Sequence, residues 1–122
     1  MAGRPSRLQC GRMDVTADEQ LWLDAYRKVL AERFPGVVVD LVIYGSKARG
    51  DARPDSDVDV LVVISAGDWR LKDALACAAY DLAIGTEVVP SIQIFTAAEW
   101  ERLRERQSVF REAVERDGVS VR

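Results

Sequence analysis

Apolar side chains recur with a helical period in the first third of the chain. Leu21, Ala25 and Val29 follow one another at intervals of four residues. Positions four apart lie on one face of a helix, so this spacing predicts an amphipathic helix of about 17 residues. Thr16 and Glu19 have the spacing of a capping box, in which each side chain binds the backbone N–H of the other residue. The helix is therefore expected to begin directly after Thr16.

Three stretches rich in β-branched residues predict strands, because such side chains pack well on a pleated surface. They cover residues 37–44, 57–64 and 87–95. The later half of the second stretch is apolar without interruption, which predicts a strand buried on both faces. Pro90 lies inside the third stretch and cannot donate a ladder hydrogen bond, so this strand is expected at a sheet edge or with a bulge.

Two further helical patterns follow the second and third strands. The first covers about residues 68–84 and is expected to end at Gly85. The second begins with a capping box at residues 96–99, and the pair Gln107-Ser108 predicts a break into two shorter helices. Residues 119–121 predict a short terminal strand. This order of elements predicts an α+β fold, an α/β sandwich in which helices pack on a small mixed sheet.

Length and composition indicate one globular domain. The chain has 122 residues, of which 48% are apolar and 30% charged. Residues 1–15 are polar and without period, which predicts a flexible N-terminal arm before a single domain at residues 16–122. The apolar run without a charge at residues 60–67 is far shorter than a membrane span. Cys10 and Cys77 are far apart in sequence and are interpreted as reduced thiols of a cytoplasmic protein.

The net charge and the absence of histidine limit the ligands and the kinds of catalysis that are expected of this chain. The formal net charge is −3, which argues against general nucleic-acid binding. The chain has no histidine, so catalysis by a Ser-His-Asp or a Cys-His arrangement is excluded. Any catalysis is therefore expected to depend on carboxylates, basic side chains, hydroxyls or a bound metal ion.

The connection between the first two predicted strands carries the residues best suited to phosphate. Gly45 and Ser46 directly follow a strand, where a glycine lets the backbone approach a ligand and the hydroxyl and N–H groups can bind phosphate oxygens. Lys47, Arg49 and Arg53 place three cations within seven residues. This connection is therefore a candidate phosphate-binding loop.

A pair of carboxylates follows this loop. Asp57 and Asp59 lie two residues apart in a predicted strand, so both side chains point to the same face. Binding of a hard divalent cation relieves the repulsion between two such carboxylates. A phosphate-binding loop beside a carboxylate pair predicts metal-assisted phosphoryl or nucleotidyl transfer.

This segment resembles the signature of the DNA polymerase β-like nucleotidyltransferase superfamily. In that signature, Gly-Ser lies at the end of one strand and Asp-x-Asp lies on the next. Ten residues separate Gly45-Ser46 from Asp57-x-Asp59, which is the spacing of the minimal nucleotidyltransferases. The resemblance extends over the stretch from Tyr44 to Val63 and covers about residues 18–120. It implies the palm-like nucleotidyltransferase fold.

The resemblance also implies a role for each matching residue. Gly45 and Ser46 are implied to bind the triphosphate of a nucleoside triphosphate, ATP above all. Asp57 and Asp59 are implied to hold two Mg²⁺ ions and to form the catalytic centre. The cations implied to neutralise phosphate charge are Lys47 and Arg49.

Active members of this superfamily carry a third carboxylate on a later strand. Glu87 is the only acid among residues 87–95 and is the candidate for this catalytic position. Alignment from the following helix places Val89, Ser91 or Gln93 opposite the aspartate pair, and none of the three is anionic. The absence of an anion at these positions favours binding of a metal–nucleotide complex over polymerase-like activity.

The acceptor hydroxyl is expected to come from a partner, because a chain of this size has little room for a substrate-binding domain. Minimal nucleotidyltransferases of this kind occur beside HEPN-domain ribonucleases. The resemblance implies an antitoxin that transfers AMP from ATP to a tyrosine of a HEPN-type toxin. Two alternatives stay open, namely a catalytically weak nucleotide-binding module that docks onto a partner and an enzyme that modifies a hydroxylated metabolite.

Overall fold

A mixed four-stranded β-sheet lies at the centre of the structure, a computed structural model that describes residues 13–53 and 56–122. In this described part the strands are β1 (Val38–Tyr44), β2 (Val58–Ile64), β3 (Pro90–Thr96) and β4 (Val119–Ser120). Their order across the sheet is β3-β2-β1-β4. β1 is antiparallel to both of its neighbours, whereas β2 and β3 are parallel. The mixed sheet predicted from the order of elements is confirmed.

Helices cover both faces of this sheet. Within the described ranges they are α1 (Ala17–Arg33), α2 (Gly45–Arg49), α3 (Trp69–Ala83), α4 (Ala97–Glu105) and α5 (Val109–Asp117). α1 and α3 pack on one face, and side chains of α4 and α5 pack on the other. The predicted α/β sandwich is therefore confirmed. None of these helices is long and apolar enough to cross a membrane.

The central strand β2 divides its side chains between two hydrophobic cores. Val60, Val62 and Ile64 face α1 and α3, whereas Leu61 and Val63 face α5. This division follows from the alternation of side chains along a strand. All five side chains are buried, as the uninterrupted apolar run predicts.

Two aromatic side chains of α1 attach this helix to α3. The Trp22 indole N–H donates to the carbonyl of Ala79, and the Tyr26 hydroxyl donates to the carbonyl of Leu75, both at 2.9 Å. Each hydrogen bond satisfies the polar atom of a buried ring. Burial also raises the pKa of the Tyr26 hydroxyl above its ordinary value. α1 is therefore held firmly, and its N-terminal turn has a fixed position beside the sheet.

Local sequence signals identify most of the helix ends. Thr16 and Thr96 each form the predicted capping box. Gln107 has a left-handed backbone with φ 56° and separates α4 from α5 at the predicted break. One element differs from the prediction, because the connection at residues 45–56 contains the short helix α2. Residues 54 and 55 of this connection lie outside the described residues.

The N-terminal segment is attached to the domain earlier than the sequence predicts. Residues 1–12, including Cys10, lie outside the described residues. The backbone N–H of Asp14 donates to the carbonyl of Lys47 at 2.8 Å. The carboxylate of Asp14 accepts a hydrogen bond from the N–H of Ala52 at 3.1 Å. Asp14 therefore contacts α2 and the residues after it, although the pattern assigns it to the flexible arm.

Candidate active site

The turn from β1 into α2 contains the residues that the sequence predicts to bind phosphate. β1 ends at Tyr44, and α2 begins at once with Gly45 and Ser46. Gly45 has φ +74°, and a Cβ atom added to it would overlap Oδ2 of Asp59. Only glycine therefore lets the backbone lie directly against this carboxylate. The structure brings the loop and the second aspartate of the pair together.

The aspartate pair lies where β2 begins. Asp57 is exposed, and Asp59 is half-buried on the side of the sheet that α5 covers. Burial raises the pKa of the Asp59 carboxyl, the negative charge of Asp57 raises it further, and Arg49 acts in the opposite direction. The two carboxylates therefore repel each other, and a hard cation bound between them would relieve this repulsion.

Arg49 provides an exposed cation at the end of α2. Its Nε lies 3.3 Å from the carboxylate of Asp51, and 46% of its side chain is exposed. Its positive charge also acts on Asp59, where it partly opposes the rise in the pKa of the carboxyl. Arg49 is thus close to the aspartate pair and accessible to a ligand.

Lys47 is buried and paired with Glu19, and its predicted contact with the nucleotide needs correction. Its Nζ lies 3.0 Å from Oε1 of Glu19, and only 1% of the Lys47 side chain is exposed. A buried ammonium that is already paired is not free to bind phosphate. The prediction failed because Glu19 is 28 positions away in sequence, and only the fold brings α1 against α2.

β3 presents a hydroxyl, not a carboxylate, beside the aspartate pair. In the parallel register of β2 and β3, Ser91 lies opposite Asp59. The two side chains therefore project from the same side of the sheet. Within residues 13–53 and 56–122, no group of three or more Asp, Glu, Cys or His side chains is arranged to hold a metal ion.

Glu87 lies outside the sheet and forms no cluster with the aspartate pair, so its predicted catalytic position needs correction. β3 begins only at Pro90, because a residue without an N–H suits the start of an edge strand. Glu87 therefore belongs to the connection that precedes β3. It is exposed, and with the first turn of α1 it lines a cavity of about 340 Å³. Its neighbour Val88 is buried in the core formed with α1 and α3.

Comparison with known proteins agrees with this arrangement. A family model described as nucleotidyltransferase domain matches residues 23–115, which is more than half of the chain and includes the loop and the aspartate pair. The chain belongs to this nucleotidyltransferase domain family. A curated relative, the protein adenylyltransferase MntA of Thermococcus cleftensis, is 50% identical over 40 residues. That match covers 33% of this chain and 38% of the relative, so it spans less than half the length of either protein.

In this nucleotidyltransferase domain, Tyr44 is a neighbour of the site that sequence reasoning missed. It pairs with Asp59 across β1 and β2, and its ring meets Phe110 of α5 edge-to-face at 5.5 Å. Burial raises the pKa of the Tyr44 hydroxyl to about 12, with a smaller contribution from the charge of Asp59. An aromatic residue directly before Gly-Ser was the available signal, but only the strand register shows what it faces.

The donor set of this nucleotidyltransferase domain suits a hard divalent cation. Asp57 and Asp59 supply carboxylate oxygens, which Mg²⁺ prefers, and Mg²⁺ takes its remaining ligands from phosphates and water. Ser91 adds a neutral oxygen beside them. The loop at Gly45 and Ser46 lies next to the same carboxylates, so a bound triphosphate would meet the cation there.

Proposed function

We propose that this nucleotidyltransferase domain transfers AMP from ATP to a hydroxyl acceptor in the cytoplasm, with Mg²⁺ held by Asp57 and Asp59. The observation that carries the proposal is the contact between the Gly45 backbone and the Asp59 carboxylate. This contact brings the loop proposed to bind phosphate next to one of the two carboxylates proposed to hold the metal. The match to a protein adenylyltransferase supports AMP as the transferred group. Cys77 forms no disulfide within the residues that the structure describes, which fits a reducing compartment.

Different residues of the chain bind the triphosphate and compensate its negative charge. In this proposal the N–H groups at Gly45 and Ser46 and the Ser46 hydroxyl hold the triphosphate. Arg49 compensates phosphate charge from the exposed end of α2. When bound, Mg²⁺ would polarise the phosphoryl oxygens and favour deprotonation of the attacking hydroxyl. The acceptor oxygen then bonds to the α-phosphorus, and pyrophosphate leaves.

The proposed acceptor is a tyrosine of a protein partner, a HEPN-type toxin that this chain would neutralise as an antitoxin. The name of the matched relative supports a protein acceptor, and the spacing of Gly45-Ser46 and Asp57-x-Asp59 supports membership of the minimal class. The experiment is coexpression with such a toxin, followed by mass spectrometry of its tyrosines. An AMP adduct that Asp57→Asn/Asp59→Asn abolishes is the expected result, and an unmodified toxin would contradict this acceptor.

A second candidate function is a nucleotide-binding module that acts by docking and transfers slowly or not at all. The position of Ser91 favours it, because a neutral hydroxyl opposite Asp59 supplies neither the third carboxylate ligand nor a general base. This module would bind ATP with Mg²⁺ at the same site. It differs from the enzyme only in leaving no covalent product.

Thermal shift with nucleoside triphosphates, each with Mg²⁺ and with EDTA, tests the shared binding site. A ligand at about 100 times its Kd adds about 2.7 kcal/mol of stability, which is several degrees for a domain of this size. We expect a Mg²⁺-dependent shift with ATP that Asp57→Asn/Asp59→Asn loses. Asp73→Asn/Asp81→Asn on α3 removes the same charge from exposed positions and serves as the matched control. A wild-type protein without any shift would refute both candidate functions.

A further inference from the structure

The short segment before and at the start of α1 contacts two atoms of α2 and one atom of Ala52, which follows this helix. Oε1 of Glu19 binds the Lys47 ammonium at 3.0 Å. The N–H of Asp14 donates to the Lys47 carbonyl at 2.8 Å, and its carboxylate accepts from Ala52 N–H at 3.1 Å. α2 and the residues after it are thus attached to this N-terminal segment.

The ion pair between Glu19 and Lys47 is buried to an unusual degree. The exposed fraction of the side chain is 8% for Glu19 and 1% for Lys47. Removing two charges from water carries a large desolvation penalty, and well-packed apolar residues at such a place are often equally or more stabilising. Stability alone is therefore a weak reason for this pair. What the pair does supply is a fixed direction for the Lys47 side chain and hence for α2.

α2 depends on such contacts for its position. It has only five residues and no side-chain hydrogen bond at its N-cap. An isolated helix of this length is unstable in water. Its first residue, Gly45, touches the Asp59 carboxylate, so any displacement of α2 changes the distance between the loop and the aspartate pair.

We propose that Glu19 and Lys47 are positioning residues, which hold the Gly45-Ser46 loop at the distance from Asp59 that a metal-bound triphosphate requires. The inference rests on the proposed function, since ATP with Mg²⁺ is the ligand of this loop. Neither side chain touches the nucleotide. They act through α2, because Lys47 follows Ser46 directly and its ammonium is anchored to α1.

The chain contains a matched control for this pair. Glu99 of the second capping box binds Lys72 of α3 at 2.6 Å. This pair is partly exposed, and its glutamate lies just beyond the C-terminal end of β3, whereas Asp59 lies beside the start of that strand. The two pairs therefore share residue types and local geometry but differ in burial and in the element that they hold.

The experiment compares Glu19→Gln/Lys47→Met with Glu99→Gln/Lys72→Met. Glutamine keeps the capping box, and methionine fills the space of the lysine stem, so both variants are designed to fold. Amide exchange without ligand is followed by NMR at Gly50 and Asp51, whose N–H groups both bind the Ser46 carbonyl. ATP affinity with Mg²⁺ is measured by calorimetry, and the melting temperature reports the fold.

We expect amide exchange at Gly50 and Asp51 to become at least tenfold faster in Glu19→Gln/Lys47→Met, and ATP affinity to fall at least tenfold. The melting temperature should stay the same or rise. A merely structural role would instead lower the melting temperature and accelerate exchange throughout the domain. The control variant should keep ATP affinity within twofold of the wild type and leave exchange at both amides unchanged.

Unchanged exchange or unchanged ATP affinity in Glu19→Gln/Lys47→Met would overturn the positioning role. A wild type that does not bind ATP would refute the proposed function instead, and exchange at Gly50 and Asp51 would still decide whether the pair orders the loop. If the double variant does not fold, Lys47→Gln replaces it, because its shorter, neutral side chain removes the ion pair but leaves a polar group near the Glu19 carboxylate. The same two measurements then decide.

Discussion

The helices α1 and α4 both begin with a capping box, but the glutamates of the two boxes make their second contact in different surroundings. In both capping boxes the threonine N–H donates to the glutamate, at 2.9 Å for Thr16 and 2.8 Å for Thr96. In both, the glutamate N–H donates to the threonine hydroxyl at 3.1 Å. Each glutamate also binds a lysine from another helix.

The difference lies in what surrounds the lysine. Lys47 is almost fully buried and belongs to the loop beside the aspartate pair, whereas 27% of the Lys72 side chain is exposed. Lys72 joins two surface helices, α3 and α4. A capping box is a local feature that four residues determine, but the second contact of its glutamate is decided by the fold. The same motif thus supports a candidate active site in one place and a helix junction in the other.

The largest expected difference between the two capping boxes is the loss of stability when the glutamate of each box is replaced. Glu19→Ala leaves the Lys47 ammonium buried without a counterion, so we expect a loss of about 3–5 kcal/mol in the free energy of unfolding. Glu99→Ala breaks a partly exposed pair and should cost about 1 kcal/mol or less. Urea denaturation of both variants measures the difference. Equal losses would mean that the burial of Lys47 has no energetic consequence.

Adding a methyl group at Gly45 tests whether the loop must lie directly against the Asp59 carboxylate. Gly45→Ala combines a left-handed backbone with an overlap at Asp59, and we expect a loss of about 1–3 kcal/mol together with the loss of the ATP shift. Gly85 also has positive φ, but a Cβ there meets nothing within 4 Å. Gly85→Ala should cost about 1 kcal/mol and keep the ATP shift. An unchanged ATP shift in Gly45→Ala would show that the contact with Asp59 is dispensable.

The threonine cap is common to both boxes, so its removal is expected to cost the same stability in each. Thr16→Ala and Thr96→Ala each remove one side-chain acceptor at the start of a helix, and each should cost about 1 kcal/mol. Thermal denaturation of the two variants checks this equality. A loss that is clearly larger for Thr16→Ala would show that its cap is coupled to the buried pair at Glu19.

Local signals explain why the boundaries of α1 and α4 were predictable. A capping box involves residues three positions apart, so Thr16 and Thr96 could be recognised without knowledge of the fold. The aspartate pair was visible for the same reason, because alternation along a strand puts Asp57 and Asp59 on one face. In each case the decisive contacts lie within a few residues of each other.

Residues that meet only through the fold were not predictable in this way. Lys47 was interpreted from its neighbours in the loop, but its partner Glu19 comes from α1. Glu87 was interpreted as a strand residue, but the strand begins at Pro90 and places Ser91 opposite Asp59. The register between strands and the packing of helices decide such positions, and neither is written in the local sequence.

The smallest expected effect is a change in the pKa of Glu99, the glutamate of the more exposed capping box. The hydrogen bond from Lys72 is the main cause that lowers the pKa of Glu99, and the Thr96 N–H adds to it. A carboxylate with a lowered folded pKa stabilises the protein above its unfolded pKa, near 4.5, and this contribution is lost as the pH falls through the folded value. In Lys72→Met the Glu99 titration, followed by NMR of the carboxyl carbon, should move back toward 4.5. The melting temperature should also depend less on pH in the acidic range. An unchanged midpoint of the Glu99 titration would show that the hydrogen bonds with Thr96, and not Lys72, lower this pKa.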